Sequence, residues 1–233
     1  MGNTRLPRHH RAILRTAPMM PGAPNHRLVL FPDVKAIWHQ VPKVGSSSIW
    51  KALSAQAEVN WEQLHGKALL PSWMYKDWTV FAFVRSPEER LLSAWRDKVL
   101  RSNLFGFSPA THAKMHELDA FLDWLEDQDL RLAEPHIRWQ SALFNPDRMN
   151  FIGRMENIQK DWRELAQKLE LPRASWDLPH INASTFVQPL SSIREDQTLR
   201  ILRLYAPDVQ NFYPDLANAP NSRTSAFQDV KGA

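Results

Sequence analysis

Two short stretches of this 233-residue chain carry side chains that could hold an anion and do chemistry beside it. In "WHQVPKVGSSSIWKAL", residues 38–53, Lys43, Val44, Gly45, Ser46, Ser47 and Ser48 fall where an apolar run gives way to helical spacing. A helix start offers unpaired backbone N–H groups and a partial positive charge, and a glycine there lets an anion approach the backbone. Three hydroxyls add donors and Lys43 adds a full charge. The order is not G-x-x-x-x-G-K-[ST], because here the lysine precedes the glycine. A serine-capped helix after a proline-containing turn would use some of the same residues. Lysine, glycine and three hydroxyls together favour an anion cradle.

The second stretch is "FVRSPEERLLSAWRDK", in which Arg85 and Ser93 stand eight residues apart. An arginine fork suits a phosphate monoester, and a hydroxyl from the same helix could bind another of its oxygens. Taken singly, each also reads as structural: a helix-end arginine in a surface ion pair, and a small residue packed against a sheet.

The elements that must position these groups are legible around them. "LVLFPDVKAIWHQV" is extended, β-rich sequence, with a first core strand at residues 37–41, and Ile49, Trp50, Leu53 and Ala57 continue at helical spacing. "WTVFAFV", residues 78–84, is almost continuously apolar, as a strand buried on both faces would be. Ser86 as N-cap, Pro87 at the first helical position and Glu89 as the partner in an S-x-x-E box then specify a helix start. Residues 118–130, 157–169 and 195–205 show helical spacing, "MNFIGRM" reads as a short strand, and a proline-bearing tail follows residue 205. Strand-turn-helix units with buried strands predict an α/β fold with a largely parallel β-sheet flanked by helices, whose ligands sit at the carboxyl ends of strands.

Together the stretches resemble a known family. "VPKVGSSSIW" is similar to the 5′-phosphosulfate loop, and "FVRSPEERLLSAWRDK" to the 3′-phosphate motif, of sulfotransferases that use 3′-phosphoadenosine 5′-phosphosulfate (PAPS). The second stretch is particularly similar to the Golgi-type carbohydrate sulfotransferases and their bacterial relatives. "PHIRWQSALFNPDRMNFIGRMENIQKDW" resembles that subgroup's His-x-Arg-x-Gln stretch and the strand after it. "HINAS" resembles the segment before its cofactor-covering loop, and "LYAPDVQNFYP" its closing Tyr-x-x-Asp-x-x-x-Phe. The resemblance runs with gaps from about residue 37 to residue 214.

It implies a P-loop-like core without nucleoside triphosphate hydrolysis. It also implies that Lys43, Val44, Gly45, Ser46, Ser47 and Ser48 hold the 5′-phosphosulfate, and that Arg85 and Ser93 hold the 3′-phosphate. The acceptor would be a hydroxyl, of a glycan or a glycan-like molecule, and the nucleotide product 3′-phosphoadenosine 5′-phosphate (PAP). Unlike the Golgi members, this sequence shows neither cysteines nor a membrane anchor.

In-line sulfuryl transfer asks the protein mainly for positioning and charge stabilisation, and Lys43 is the residue to neutralise the leaving phosphate. A base near neutral pH would help a hydroxyl acceptor, and histidine suits that role. Of nine histidines, His65 in "LHGK" comes first, since its position resembles that of a base histidine in some uronyl sulfotransferases, and His136 in "PHIRWQ" comes second. Glu62 is an alternative, Glu156 reads as a helix-start acid, His39 as a core residue, His180 as ordering the loop around Asn182, and His9 and His10 as solvated. No H-E-x-x-H or Cys/His cluster suggests a metal. Trp38, Trp50, Trp95, Trp124 and Trp162 fall in periodic apolar segments and read as core, whereas Trp61, Trp73, Trp78 and Trp139 could line an acceptor path.

Composition narrows the classes. At 43% hydrophobic residues the chain can bury one good core, so residues 27–233 are expected to form one domain after a basic, proline-containing arm at 1–26. The formal charge of +4 favours anionic ligands without demanding nucleic acid. The absence of cysteine excludes disulfides and thiolate chemistry and fits a reducing cytoplasm. No apolar run approaches the roughly 20 residues of a membrane span, and the start lacks a signal-like apolar region, so a soluble protein is expected. Two alternatives stand beside the sulfotransferase. A P-loop kinase-like phosphotransferase would need the G-K-[ST] lysine and a metal-binding acid that the sequence lacks. A non-enzymatic polyanion- or nucleic-acid-binding module would use the arginine-rich arm, which has no aromatic residue before Phe31.

Overall fold

The apolar strands of the sequence reading become the middle of one sheet. The computed structural model describes residues 26–54, 62–66, 75–178 and 193–217. Strands β1 (His26–Phe31), β2 (Ala36–Gln40), β3 (Glu62–Gly66), β4 (Thr79–Val84) and β5 (Phe151–Arg154) form a sheet in the order β3-β1-β2-β4-β5. β2 pairs in parallel with β4, and β4 with β5, while β1 is antiparallel to both β2 and β3. β3 therefore points the same way as β2, and β1 is the one reversed strand. The chain is an α/β protein of the P-loop-like kind, with a mostly parallel sheet.

Two strands go beyond what the pattern predicts. "LVLFPDVKAIWHQV" holds a hairpin, not one strand: Pro32–Val34 makes a single 3₁₀ turn, and Lys35 turns the chain with a φ of 47°. Val41, expected to end the core strand, lies just beyond it. β3 is the other addition. A further correction concerns the tail after residue 205, which contains a helix, because Pro207 lies in its first turn, where a missing N–H costs nothing.

The chain divides into two compact units. One, Met1–Val84 with Leu143–Ala183, holds the sheet and helices α1 (Ser46–Ser54) and α5 (Ile158–Lys168). Its core is aromatic: Trp38 and Phe81 on neighbouring strands stack with ring centroids 6.2 Å apart, and Phe83 meets Phe81 edge-on. Gly153 on β5 is required by that packing, since a Cβ there would meet the Phe83 ring at 2.3 Å. The other unit, Arg85–Ala142 with Ser184–Ala233, is helical among its described residues. It comprises α2 (Pro87–Trp95), α3 (Pro109–Met115), α4 (Leu118–Glu126), α6 (Glu195–Leu204), α7 (Ala206–Phe212) and α8 (Pro214–Ala217). Leu91, Trp95, Phe121, Leu125, Ile201 and Tyr205 anchor its core. α2 runs directly into one π-type turn, Arg96–Leu100, closed by the Arg101 N–H on the Arg96 carbonyl at 3.1 Å.

Candidate active site

The turn between β2 and α1 takes an unusual backbone path. Lys43 has φ of 71° and Gly45 φ of 77°, both in the left-handed region. For a lysine this conformation costs about 1–2 kcal/mol, so the surrounding structure must hold it. Gly45 is needed twice over. Its φ suits glycine, and a Cβ would come within 2.8 Å of Ile158 Cδ1 and Met155 Sδ, the side chains packed beneath the turn. Ser46 Oγ donates to the Val41 carbonyl at 2.8 Å and ties the two ends of the turn together, and the Gly45 carbonyl accepts from the N–H groups of Ser48 and Ile49. Val44 and Ser48 are buried, so Val44 can offer a ligand only its backbone, while Lys43 is half-buried and Ser47 exposed. No acid stands in the first turn of α1. The helix start thus keeps its positive end without a carboxylate of its own there, which fits a phosphate or sulfate group.

Arg85 follows β4 directly and is fixed at its backbone. Gln140 clamps it from both sides: the Arg85 N–H donates to Gln140 Oε1 at 3.0 Å, and Gln140 Nε2 donates to the Arg85 carbonyl at 2.8 Å. Gln140 is fully buried and is itself held by Asp208, which accepts from the N–H groups of Gln140 and Ser141 and from the Ser141 hydroxyl. Burial pushes the Asp208 carboxyl up, and these N–H donors and the charge of Arg90 work against that push. The Arg85 side chain gives Nε to Glu89 at 3.1 Å, and Glu89 N–H caps onto Ser86, so the expected cap forms. Ser93 lies half-buried on α2. Three residues on, Arg96 is depressed first by burial and then by the positive charge of Arg85.

Arg90, on the inner face of α2, is wholly buried, and burial lowers its pKa against the opposing pull of Tyr205, Asp208 and Glu134. It donates to the carbonyls of Arg138 and Pro135, both at 2.8 Å, and the Tyr205 hydroxyl bonds the Ile137 carbonyl. Segment 134–141 is therefore braced to α2 and to the α6–α7 junction.

These contacts give physical content to stretches that the sequence marks without assigning roles. In His-x-Arg-x-Gln, Gln140 positions Arg85; in Tyr-x-x-Asp, Tyr205 and Asp208 position Gln140 and its neighbours. Arg138 donates to the carbonyls of Ala133 and Leu132 and stabilises its own loop. Arg90, Arg96, Gln140 and Asp208 are the residues that the sequence reading leaves without a part in the site. The only signal for them is their place in the quoted stretches.

The other expected residues fall as follows. His136 lies in the braced segment with its ring on Glu134. His65 and Glu62 are on β3, where the backbone alone is described, and His180 and Asn182 lie outside the described residues, as do Trp61 and Trp73. His39 packs its ring against Phe144. Glu156 sits in a 3₁₀ turn ahead of α5, and Asp161, which accepts from the Arg154 N–H, supplies the first-turn acid. Trp139 donates its indole N–H to the Leu204 carbonyl, a structural role. Among the described residues no cluster of His, Asp or Glu is arranged to hold a metal, and no helix is long and apolar enough to cross a membrane.

A mostly parallel sheet whose strand β2 passes through a glycine-bearing turn into α1 is a P-loop-like α/β core. Residues 26–214 match the Sulfotransferase family, and the chain belongs to that family. It is accordingly a transferase that moves a sulfuryl group to a hydroxyl-bearing acceptor. No curated protein and no solved structure matches the chain.

Proposed function

We propose that this sulfotransferase takes its sulfuryl group from PAPS and delivers it to a hydroxyl of a glycan or glycan-like acceptor. The observation that carries the reading is the β2–α1 turn: a strained lysine and a glycine precede a helix start with no acid, in a chain of the sulfotransferase family. The backbone N–H groups of Val44 to Ser47, with Lys43, suit the 5′-phosphosulfate. Arg85, with its locked backbone, and Ser93 suit the 3′-phosphate, and Arg96 adds charge beside them.

When bound, the donor supplies an activated sulfur and a phosphate leaving group. Lys43 and the helix start then stabilise charge growing on that phosphate, worth about 3–4 kcal/mol per well-aimed donor. A histidine removes the proton of the acceptor hydroxyl, with His65 and His136 the candidates. Residues 27–233 act as one transferase domain behind a basic arm, and the cysteine-free composition supports work in the cytoplasm. The test is transfer of ³⁵S from labelled PAPS to a panel of unsulfated polysaccharides, short glycosides and simple alcohols. Label on a glycan supports the proposal. Label confined to a non-glycan alcohol overturns the acceptor class, and ATP turnover without any transfer from PAPS overturns the donor.

A further inference from the structure

We propose that Met155, on which the turn between β2 and α1 rests, is an oxidative modification site: its conversion to the sulfoxide displaces the turn and weakens donor binding, and its reduction restores both. This rests on the reading of that turn as the 5′-phosphosulfate site. Every group involved belongs to the sheet-bearing unit. Met155 follows β5 directly and opens the 3₁₀ turn Met155–Asn157 ahead of α5. A Cβ added to Gly45 would stand 2.8 Å from Met155 Sδ and 3.3 Å from its Cε, with Ile158 Cδ1 the other neighbour at 2.8 Å. The thioether therefore lies directly under Gly45, whose N–H is one of those suited to the donor. Met155 is a positioning residue for that run of backbone donors.

The backbone beneath the sulfur is held in place. Arg154 stands in register with Val84 of β4, and its N–H donates to Asp161 Oδ2 at 2.6 Å. Gly153 packs so closely on the Phe83 ring that β5 has no room to slide. A change at the sulfur is therefore passed to the Gly45 turn and not to the strand. Methionine suits such a floor, because an unbranched, polarizable side chain fills an irregular gap under a glycine. The same sulfur is open to attack, since Met155 is half-buried. Among the described methionines Met149 is also half-buried, whereas Met115 is sealed in a core at 8% exposure. The chain has no cysteine, so no thiol of its own intercepts an oxidant first.

The oxidant is a hydroperoxide. A lone pair of Met155 Sδ attacks the outer peroxide oxygen, the sulfur–oxygen bond forms as the O–O bond breaks, and the peroxide leaves as water or an alcohol. Sulfur is oxidised by two electrons and the peroxide is reduced by two. A dithiol reverses the step, returning the thioether and leaving a disulfide and water. Turned toward Gly45, the new oxygen enters space already too small for a Cβ. Turned away, it draws a polar group toward water and takes the side chain out from under the turn. The turn loses its support in both cases.

The test compares each protein with itself before and after hydrogen peroxide, reading PAP affinity by calorimetry and the oxidised methionines by peptide mass spectrometry. In the wild type, sulfoxide at Met155 should weaken PAP binding about tenfold or more, the scale of overpacking by one heavy atom. Methionine sulfoxide reductase with dithiothreitol should restore it. Met155→Leu occupies similar volume without sulfur, so treatment should change its PAP affinity by less than about twofold. Met149→Leu should lose affinity as the wild type does. In ¹⁵N-labelled, nucleotide-free protein the Gly45 and Ser46 amide signals should move on oxidation of the wild type and hold still in Met155→Leu, a readout that needs no donor. Three results overturn the proposal while the donor reading stands: full oxidation of Met155 with PAP affinity kept within about twofold, an equal loss in Met155→Leu, or Met155 left untouched while Met149 takes up oxygen. Untreated wild type that neither binds PAP nor transfers from PAPS overturns the donor reading, and with it the effect on binding assigned to Met155.

Discussion

Strands β2 and β4 each hand over to a helix within a few residues, and the two handovers differ in the residues they place at the helix start. After β4, α2 supplies its own needs: Ser86 caps it, Pro87 fills its first position, and Glu88 and Glu89 sit at its positive end. After β2, α1 is preceded by two left-handed residues, Lys43 and Gly45, has no acid in its first turn, and gives the hydroxyl of its first serine, Ser46, to tying the turn together. The first helix start carries no acid of its own, and in the proposed reading its backbone N–H groups meet the negative charge of the donor. The second is electrically complete, so any anion there must be held by side chains, Arg85 above all. Backbone cradles tolerate little change in geometry, whereas side-chain grips can be weakened in steps. The expected effects of substitution follow from that contrast.

The largest effect belongs to Lys43. Lys43→Ala should reduce sulfuryl transfer about 10²- to 10³-fold, with melting temperature nearly unchanged, because a half-buried turn lysine contributes little to the core. Lys43→Gly separates the two roles of this position. It removes the charge and also relieves the positive φ, so it should match the alanine variant in activity while gaining up to about 1–2 kcal/mol in denaturant unfolding. Transfer at the wild-type rate in either variant would remove Lys43 from the chemistry.

Next comes the side-chain grip. Arg85→Ala should weaken PAP binding, measured by calorimetry, by about 10- to 100-fold, the worth of lost charge-assisted hydrogen bonds at roughly 1.5–3 kcal/mol. Gln140→Leu leaves the guanidinium in place but removes the two hydrogen bonds that Gln140 makes to the N–H and carbonyl of Arg85. It should cost about 1–3 kcal/mol of stability per group left unpaired, and weaken PAP binding by a smaller factor than Arg85→Ala. If Gln140→Leu lowers stability alone, with PAP affinity untouched, the clamp supports the fold and does not position the arginine.

How much of this was legible in the sequence depended on whether the signal was local. The α2 start was read residue by residue, since cap, proline and acid all lie within four positions, and β4 was evident from its unbroken apolar run. β3 was not legible: "EQLHG" has one strongly apolar residue, and pairing with β1 makes it a strand. The hairpin of β1 and β2 was hidden because Pro32 reads as a break in one extended run, when it is the start of the turn. The members of the cradle were visible as residue types, but the left-handed lysine was not, because nothing in "VPKVG" reports backbone angles. Gln140 and Asp208 act across 55 and 68 residues of chain, on Arg85 and on Gln140 itself, and such polar pairing leaves no local pattern.

A third substitution tests how strict the backbone cradle is. Gly45→Ala places a Cβ 2.8 Å from Ile158 Cδ1 and Met155 Sδ at a φ of 77°. Both neighbours are ends of flexible side chains, so the fold should survive at a cost of about 1–3 kcal/mol, read from urea unfolding, but with the turn shifted. Donor binding should fall further than stability alone predicts. An equivalent alanine at Ser86 should cost only the cap, about 1 kcal/mol, and leave donor binding close to wild type.

The smallest effect is the most discriminating. Glu89 holds Arg85 Nε in a pair that is a quarter to a third exposed, and it also complements the α2 dipole. Its charge therefore helps the helix and opposes any phosphate that Arg85 binds. Glu89→Gln keeps an acceptor for Nε while removing that opposition. PAP should bind up to about fivefold more tightly at low salt, the range of a partly exposed charge pair at roughly 0.2–1 kcal/mol, and stability should fall by a few tenths of a kcal/mol. The gain should fade at about 1 M salt, where screening acts over roughly 3 Å. Weaker binding in Glu89→Gln at every salt concentration would mean that the ion pair aims the guanidinium, and the second handover would then depend on geometry as much as the first.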